Sequence, residues 1–171
     1  MASLQTGGTV YVSALITSGG FQANTFNGLS NFTFYNGADE KFGFGAAFDG
    51  DSVSSFYGSY VASTNTAFNS TTAVLNNATA FLVGRIDLDL NIANFWVNPD
   101  VSVLQEEPSY SVSGVDMEFN RVRIESNVSS KVDEFRLGTT FTDVGVLGAI
   151  PEPSSALLLS LLSLTALRRR R

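Results

Sequence analysis

Thr79-Ala80-Phe81-Leu82-Val83-Gly84-Arg85-Ile86-Asp87-Leu88-Asp89-Leu90 passes from a continuous apolar run into strict alternation. Alternation with a period of two predicts a β-strand, with Leu82, Ile86, Leu88 and Leu90 on one face and Arg85, Asp87 and Asp89 on the other. One face then meets a core and the other meets water. After a short break at Asn91-Ile92, Ala93-Asn94-Phe95-Trp96-Val97 reads as the hairpin partner of this strand. Asn98-Pro99-Asp100 ends that partner, because proline has no amide to donate to a ladder.

The same pattern recurs on both sides of this hairpin. Thr9 to Thr17 alternates and is closed by Ser18-Gly19-Gly20, and Asn31-Phe32-Thr33-Phe34-Tyr35 is closed by Asn36-Gly37. In Lys41-Phe42-Gly43-Phe44-Gly45-Ala46-Ala47-Phe48 the phenylalanines fall on an inner face once a bulge shifts the register before Phe48. The glycines between them predict close sheet packing. Residues 49 to 72 are rich in Ser, Thr and Asn and read as short strands and loops. Met117 to Glu125 and Val132 to Gly138 alternate again. Short alternating strands at this spacing predict an all-β fold, an antiparallel β-sandwich.

Composition narrows the chemistry. The 171-residue chain contains neither cysteine nor histidine, so disulfides are absent, as are the commonest general base and the commonest transition-metal ligand. The formal charge is -6, and residues 149–171 contribute +3 through four arginines and one glutamate, which leaves -9 on the body. A body this acidic is not expected to bind nucleic acid. The chain divides into a single domain over residues 1–148 and a tail over 149–171.

The tail reads Pro151-Glu152-Pro153, then an uncharged apolar helix over 154–167, then Arg168, Arg169, Arg170 and Arg171. Its leucine-rich run favours hydrocarbon, whereas the four arginines resist crossing a bilayer and stop the chain on the cytoplasmic side. From Ala156 to Leu167 the helix spans about 18 Å at 1.5 Å per residue, against a hydrocarbon core of about 30 Å. So short a transmembrane helix suits a transient handle better than a permanent span. This order of motif, helix and basic cluster resembles the PEP-CTERM sorting signal of bacterial exported proteins. The resemblance implies a membrane protease of the exosortase type as partner, and a protein first anchored in the membrane and then moved to the cell surface or beyond. The first residues, Met1-Ala2-Ser3-Leu4-Gln5-Thr6-Gly7-Gly8, carry no export signal, so the expectation is a truncated or misassigned start with N-terminal strands missing.

Phe81-Leu82-Val83-Gly84-Arg85-Ile86, Trp96-Val97-Asn98-Pro99-Asp100 and Asp133-Glu134-Phe135-Arg136-Leu137-Gly138, with Phe141 and Asp143-Val144 beyond, resemble the concanavalin-A-like or laminin-G-like jelly-roll domains found beside such tails. The resemblance runs from about residue 9 to 144. It implies a jelly-roll body with a structural or interaction role. The alternative it raises is a carbohydrate-binding, lectin-like module, with extracellular polysaccharide as partner.

No catalytic residues are expected. Glucanases on this fold share a strand motif, Glu-hydrophobic-Asp-hydrophobic-hydrophobic-x-Glu, that supplies two carboxylates about 5 Å apart, and this chain has none. Asp87 and Asp89 lack a third acid in register and read as solvent-facing charges. For glycan contact the available aromatics are Trp96, Tyr57 and Tyr60, with Tyr110 behind them; a lone tryptophan in an apolar strand is weighted toward packing. For calcium, the metal the resemblance implies, the candidates are Asp49 and Asp51 in one turn and Asn98 and Asp100 after the Trp96 strand. Turn-forming by Asp and Asn side chains competes with that reading at each of these positions.

Overall fold

A computed structural model describes residues 4–18, 30–49, 52–64, 66–75, 77–100, 107–126 and 130–145. The whole tail from residue 146 lies outside the described residues, including Pro151, Glu152, Pro153 and Arg168 to Arg171. No helix among the described residues is long and apolar enough to cross a membrane.

The chain forms β1 (Thr9–Thr17), β2 (Ser30–Asn36), β3 (Asp39–Asp49), β4 (Ser52–Val61), β5 (Thr66–Ala73), β6 (Thr79–Asp87), β7 (Ile92–Val97), β8 (Tyr110–Ser113), β9 (Arg121–Ser126), β10 (Lys131–Gly138) and α1 (Phe141–Gly145). These strands make two five-stranded sheets, ordered β10-β1-β6-β7-β8 and β5-β4-β3-β2-β9. Every neighbouring pair is antiparallel.

Alternation places one residue in two of each strand inside. From the first sheet come Val12, Ala14, Ile16, Leu82, Ile86 and Phe95, and from the second Phe32, Phe34, Phe42, Phe44 and Val61, none more than 1% exposed. Aromatic rings join the layers. Phe44 meets Phe95 across the core with centroids 4.6 Å apart, and Phe32 meets Phe135 at 5.1 Å. Within the second sheet Phe34 stacks on Phe42 at 4.6 Å and takes Phe119 edge-on at 4.9 Å. Fully burying such a ring contributes up to about 3 kcal/mol, so this aromatic spine carries much of the driving force for folding.

Two bulges re-aim side chains. The register of β3 on β4 shifts between Ala46 and Phe48, where the spacing of the phenylalanines calls for a bulge. In β10, Glu134 has φ 51° and the pairing with β1 slips between Ser13 and Leu15. That extra residue brings Val132 and Phe135, three apart in sequence, to the same core.

The stretch that announces the fold ends earlier than its alternation predicts. β6 stops at Asp87, and residues 88 to 91 turn. Asp87 Oδ1 accepts the Leu90 amide at 3.0 Å and Asn91 adopts φ 53°, so the carboxylate and a left-handed asparagine close the hairpin. Leu88 still reaches the core at 4% exposure, but Leu90 is 68% exposed and leaves the face expected for it. Asp89 lies in the turn, where its Oδ2 accepts the Gly8 amide at 3.1 Å. β4 and β5 are full strands where short strands and loops are expected, and β8 is not foreseen from sequence.

α1 closes the outer side of the first sheet. Val144 packs there with Phe81, Val83 and Trp96, and its carbonyl accepts a 2.8 Å bond from the buried Ser13 hydroxyl. Thr140 and Asp143 cap the helix reciprocally. The Asp143 amide donates to Thr140 Oγ1, and Asp143 Oδ2 accepts the amides of Thr140 and Thr139 at 2.8 and 3.0 Å. Those bonds, the Thr140 amide foremost, hold the Asp143 carboxyl below the usual range. The cap is therefore intact above the ordinary carboxylate pKa and weakens as pH falls through the lowered one.

Candidate binding face on the second sheet

On β2 the core takes Phe32 and Phe34, which turns Asn31, Thr33 and Tyr35 to the outer face. The register then assembles a surface around them. Asn31 lies between Gly45 of β3 and Glu125 of β9, Thr33 between Gly43 and Arg123, and Tyr35 between Glu40 and Arg121. Beyond β3, Gly45 faces Gly58 and Gly43 faces Tyr60 on β4, and Gly58 in turn faces Asn69 on β5. Three mid-strand glycines thus floor the middle of the face.

No side chain fits at Gly43 or Gly58, because neighbours already fill the space above them, and all three glycines are buried. A Cβ on Gly43 would sit 3.1 Å from the Phe32 carbonyl, 3.3 Å from Asn31 Nδ2 and 3.4 Å from Thr33 Oγ1. One on Gly58 would strike the Phe68 carbonyl and come within 2.7 Å of Asn69 Oδ1.

A charged network borders the floor at Tyr35. Its hydroxyl donates to Glu40 Oε2 at 3.2 Å and lies 3.4 Å from Glu125 Oε1, while Arg123 Nε holds Glu125 Oε1 at 2.9 Å. The Arg121 guanidinium sits 4.6 Å from the Tyr35 ring centroid. Burial, then the nearby Glu40 and Glu125 charges, push the Tyr35 hydroxyl above its ordinary pKa, so it stays a proton donor. Burial likewise raises Glu40.

Two polar atoms next to this network have no partner. Asn31 is 6% exposed and Thr33 fully buried, yet neither Asn31 Oδ1 nor Thr33 Oγ1 makes a hydrogen bond. Leaving a buried polar group unmet costs about 1–3 kcal/mol. Two such atoms side by side on one face therefore mark a place where folding stability has been given up.

Apart from Tyr60, the described residues expected from sequence fall elsewhere. Trp96 is 6% exposed and packs on the outer side of the first sheet, where its Nε1 donates to the Glu107 carbonyl at 3.1 Å. Tyr57, at 2% exposure, belongs to the core, so a sugar has access to neither ring in this conformation. Tyr60 is half-buried and stands on the glycine-floored face itself. Tyr110 stacks on Phe95 at 5.1 Å, and its hydroxyl accepts from Ser59 at 3.3 Å. Asn98, at φ 54°, ends β7 by a paired contact with Phe81: Oδ1 accepts the Phe81 amide at 2.8 Å and its own amide donates back at 2.7 Å. That makes it a strand terminator. Asp100 is exposed, Asp49 ends β3, and Asp51 lies outside the described residues. Among the described residues no three His, Cys, Asp or Glu side chains gather in a way that could hold a metal.

A cleft of about 630 Å³ also opens between the two sheets where β9 and β10 form their free edges, lined mainly by Val10, Phe119, Val122, Phe135 and Leu137. Its walls are largely apolar, whereas the glycine-floored face carries the unmet polar groups.

The sequence predicts a strand over Asn31 to Tyr35 and close packing at Gly43 and Gly45, but not which groups the outward phase of each brings together. That phase was the available signal for Asn31, Thr33 and Tyr35; the arrival of Arg121, Arg123 and Glu125 from ninety residues away depends on strand order. The chain matches no protein-family model, and no curated protein sequence is significantly similar to it.

Proposed function

We propose that this chain is an exported bacterial surface or extracellular protein, a noncatalytic sandwich of the concanavalin-like or laminin-G-like jelly-roll type delivered by its C-terminal tail. The observation that carries the reading is the order of Pro151-Glu152-Pro153, an apolar run too short to live in lipid, and four arginines. The helix over 154–167 holds the precursor in the membrane, and Arg168 to Arg171 stop it there. Proline restricts both itself and the residue before it, so the motif is extended and open to an exosortase-type protease. Only five residues separate Gly145, the end of α1, from Pro151. At no more than about 3.6 Å per residue, this leash keeps the folded body within about 20 Å of the cut. Once released, the body joins the envelope or the polysaccharide around the cell. Its charge of -9, from the whole-chain -6 less the tail's +3, favours solubility over adhesion to anionic surfaces.

Glu152→Ala tests the reading in the producing cell. The variant is expected to remain as a membrane-bound precursor, seen as a band of full tail-bearing mass, while the wild type is shortened. Processing and sorting at the wild-type rate would show the motif to be incidental.

A further inference from the structure

We propose that Asn36-Gly37, at the tip of the β2–β3 hairpin, is a site of spontaneous deamidation that the Asn120 side chain holds closed. The inference goes beyond the reading of the tail and stands on the body alone. Where glycine follows asparagine, the glycine nitrogen can attack the asparagine Cγ, because no Cβ screens it. A bond forms between Gly37 N and Asn36 Cγ, the bond from Cγ to Nδ2 breaks, and ammonia leaves with the proton that the Gly37 amide gives up. Water then opens the resulting succinimide at either of its carbonyls. The product is aspartate or isoaspartate at position 36, with no co-reactant besides water.

The fold presents this dipeptide to water and then ties it down. Asn36 pairs with Asp39, and Gly37, at φ 63°, takes the first loop position of a type II′ turn, the place that turn reserves for glycine. Gly37 and Ala38 are both exposed. Asn120, just before β9, bridges the two reacting groups: its Oδ1 accepts the Gly37 amide at 3.1 Å, and its Nδ2 donates to Asn36 Oδ1 at 3.4 Å. A backbone amide can only donate, which fixes which way the Asn120 carboxamide is turned. The Asn120 main chain is itself anchored, since its amide donates to the Tyr35 carbonyl at 2.9 Å. One side chain thus keeps the Gly37 proton engaged and restrains the Asn36 carboxamide, while the ladder holds the Asn36 backbone extended. Release has a structural consequence. A carboxylate at position 36 stands opposite Asp39, a like charge across the strands, and isoaspartate also lengthens the main chain by a methylene, so either product loosens the hairpin end.

The test is incubation of the purified protein at mildly alkaline pH, with peptide mapping by mass spectrometry to follow the conversion of amide to acid at Asn36. The same chain in denaturant gives the unprotected rate. Folded wild type is expected to react at Asn36 about tenfold or more slowly than the denatured chain, the factor that two ordinary hydrogen bonds supply together. Asn120→Ala is expected to remove most of that protection and to bring the folded rate within about threefold of the denatured one. Gly58→Ala strains the same sheet away from this turn, so it controls for general loss of stability and is expected to leave the Asn36 rate at the wild-type value. The proposal is overturned if folded wild type reacts at Asn36 as fast as the denatured chain, if Asn120→Ala leaves the rate unchanged, or if Gly58→Ala raises it as much as Asn120→Ala does.

Discussion

Phe34→Ala is expected to destabilise the body by about 3–5 kcal/mol, the range for deleting a buried phenylalanine whose surroundings collapse only in part. Phe34 is fully buried, stacks on Phe42 at 4.6 Å, lies 6.5 Å from Phe44 and takes the edge of Phe119 at 4.9 Å. Its neighbours are themselves fixed by strand pairing: Phe42 by the β3 ladder with β4, and Phe119 by an isolated bridge to Gln5 at the mouth of β9. They have little freedom to fill the space. Against a total stability of about 5–15 kcal/mol for a typical domain, such a loss would leave the body marginal. Chemical denaturation followed by circular dichroism should show the midpoint move sharply downward with the slope little changed. A midpoint within experimental error of wild type would mean that the aromatic spine does not carry the fold.

Gly58→Ala should have the next largest effect, although it adds only one methyl group. That methyl is directed at backbone, namely the Phe68 carbonyl of β5, with the Asn69 side chain beside it. A side chain can rotate away from such a contact, but a carbonyl held in a ladder cannot. β5 is tied to β4 on both sides of the point, through Tyr60 to Ala67 and Phe56 to Ala73, so relief requires the strands to part. Overpacking of this kind costs about 1–3 kcal/mol, and contact with backbone puts Gly58 at the upper end. For a domain of this size each kcal/mol lowers the melting temperature by roughly 2–4 °C, so a fall of about 6–12 °C is expected in a thermal scan. A fall under 2 °C would show that β5 is free to move off the sheet.

The two variants probe parts of the fold that differ in how readily they are read from sequence. β1, β2, β6, β7 and β10 announce themselves through alternation, although Phe81 and Val83 of β6 and Trp96 of β7 also put apolar side chains on the outer phase, where α1 covers them. β4 hides its phase: Tyr57 and Val61 face the core beside Ser59, while Phe56 and Tyr60 face outward, so aromatic residues occupy both sides of the alternation. β5 hides it differently. It is an edge strand whose contribution to the core is a half-buried Phe68 among serines and threonines. Leu90 misleads in the opposite sense, since its apolar character continues the pattern while the Asp87 carboxylate has already ended the strand.

The candidate face was legible only in pieces. Glycine between phenylalanines signals close approach, but what approaches Gly43 is Asn31 and Thr33 from a strand whose place beside β3 sequence periodicity leaves open. Missing hydrogen bonds leave no trace in a one-letter code. Trp96 is weighted toward packing by its apolar strand, and its indole is buried with Nε1 donating to the Glu107 carbonyl; Tyr57 is open from sequence between contact and surface, and only the strand pairing turns it inward.

The account rests most heavily on the fate of the tail, and intact-mass measurement of the mature protein from its native producer tests that directly. The expected mass belongs to a chain ending at or near Pro151-Glu152-Pro153, without the apolar run and without Arg168 to Arg171. A mature protein that retains its sequence through Arg171 would contradict the account.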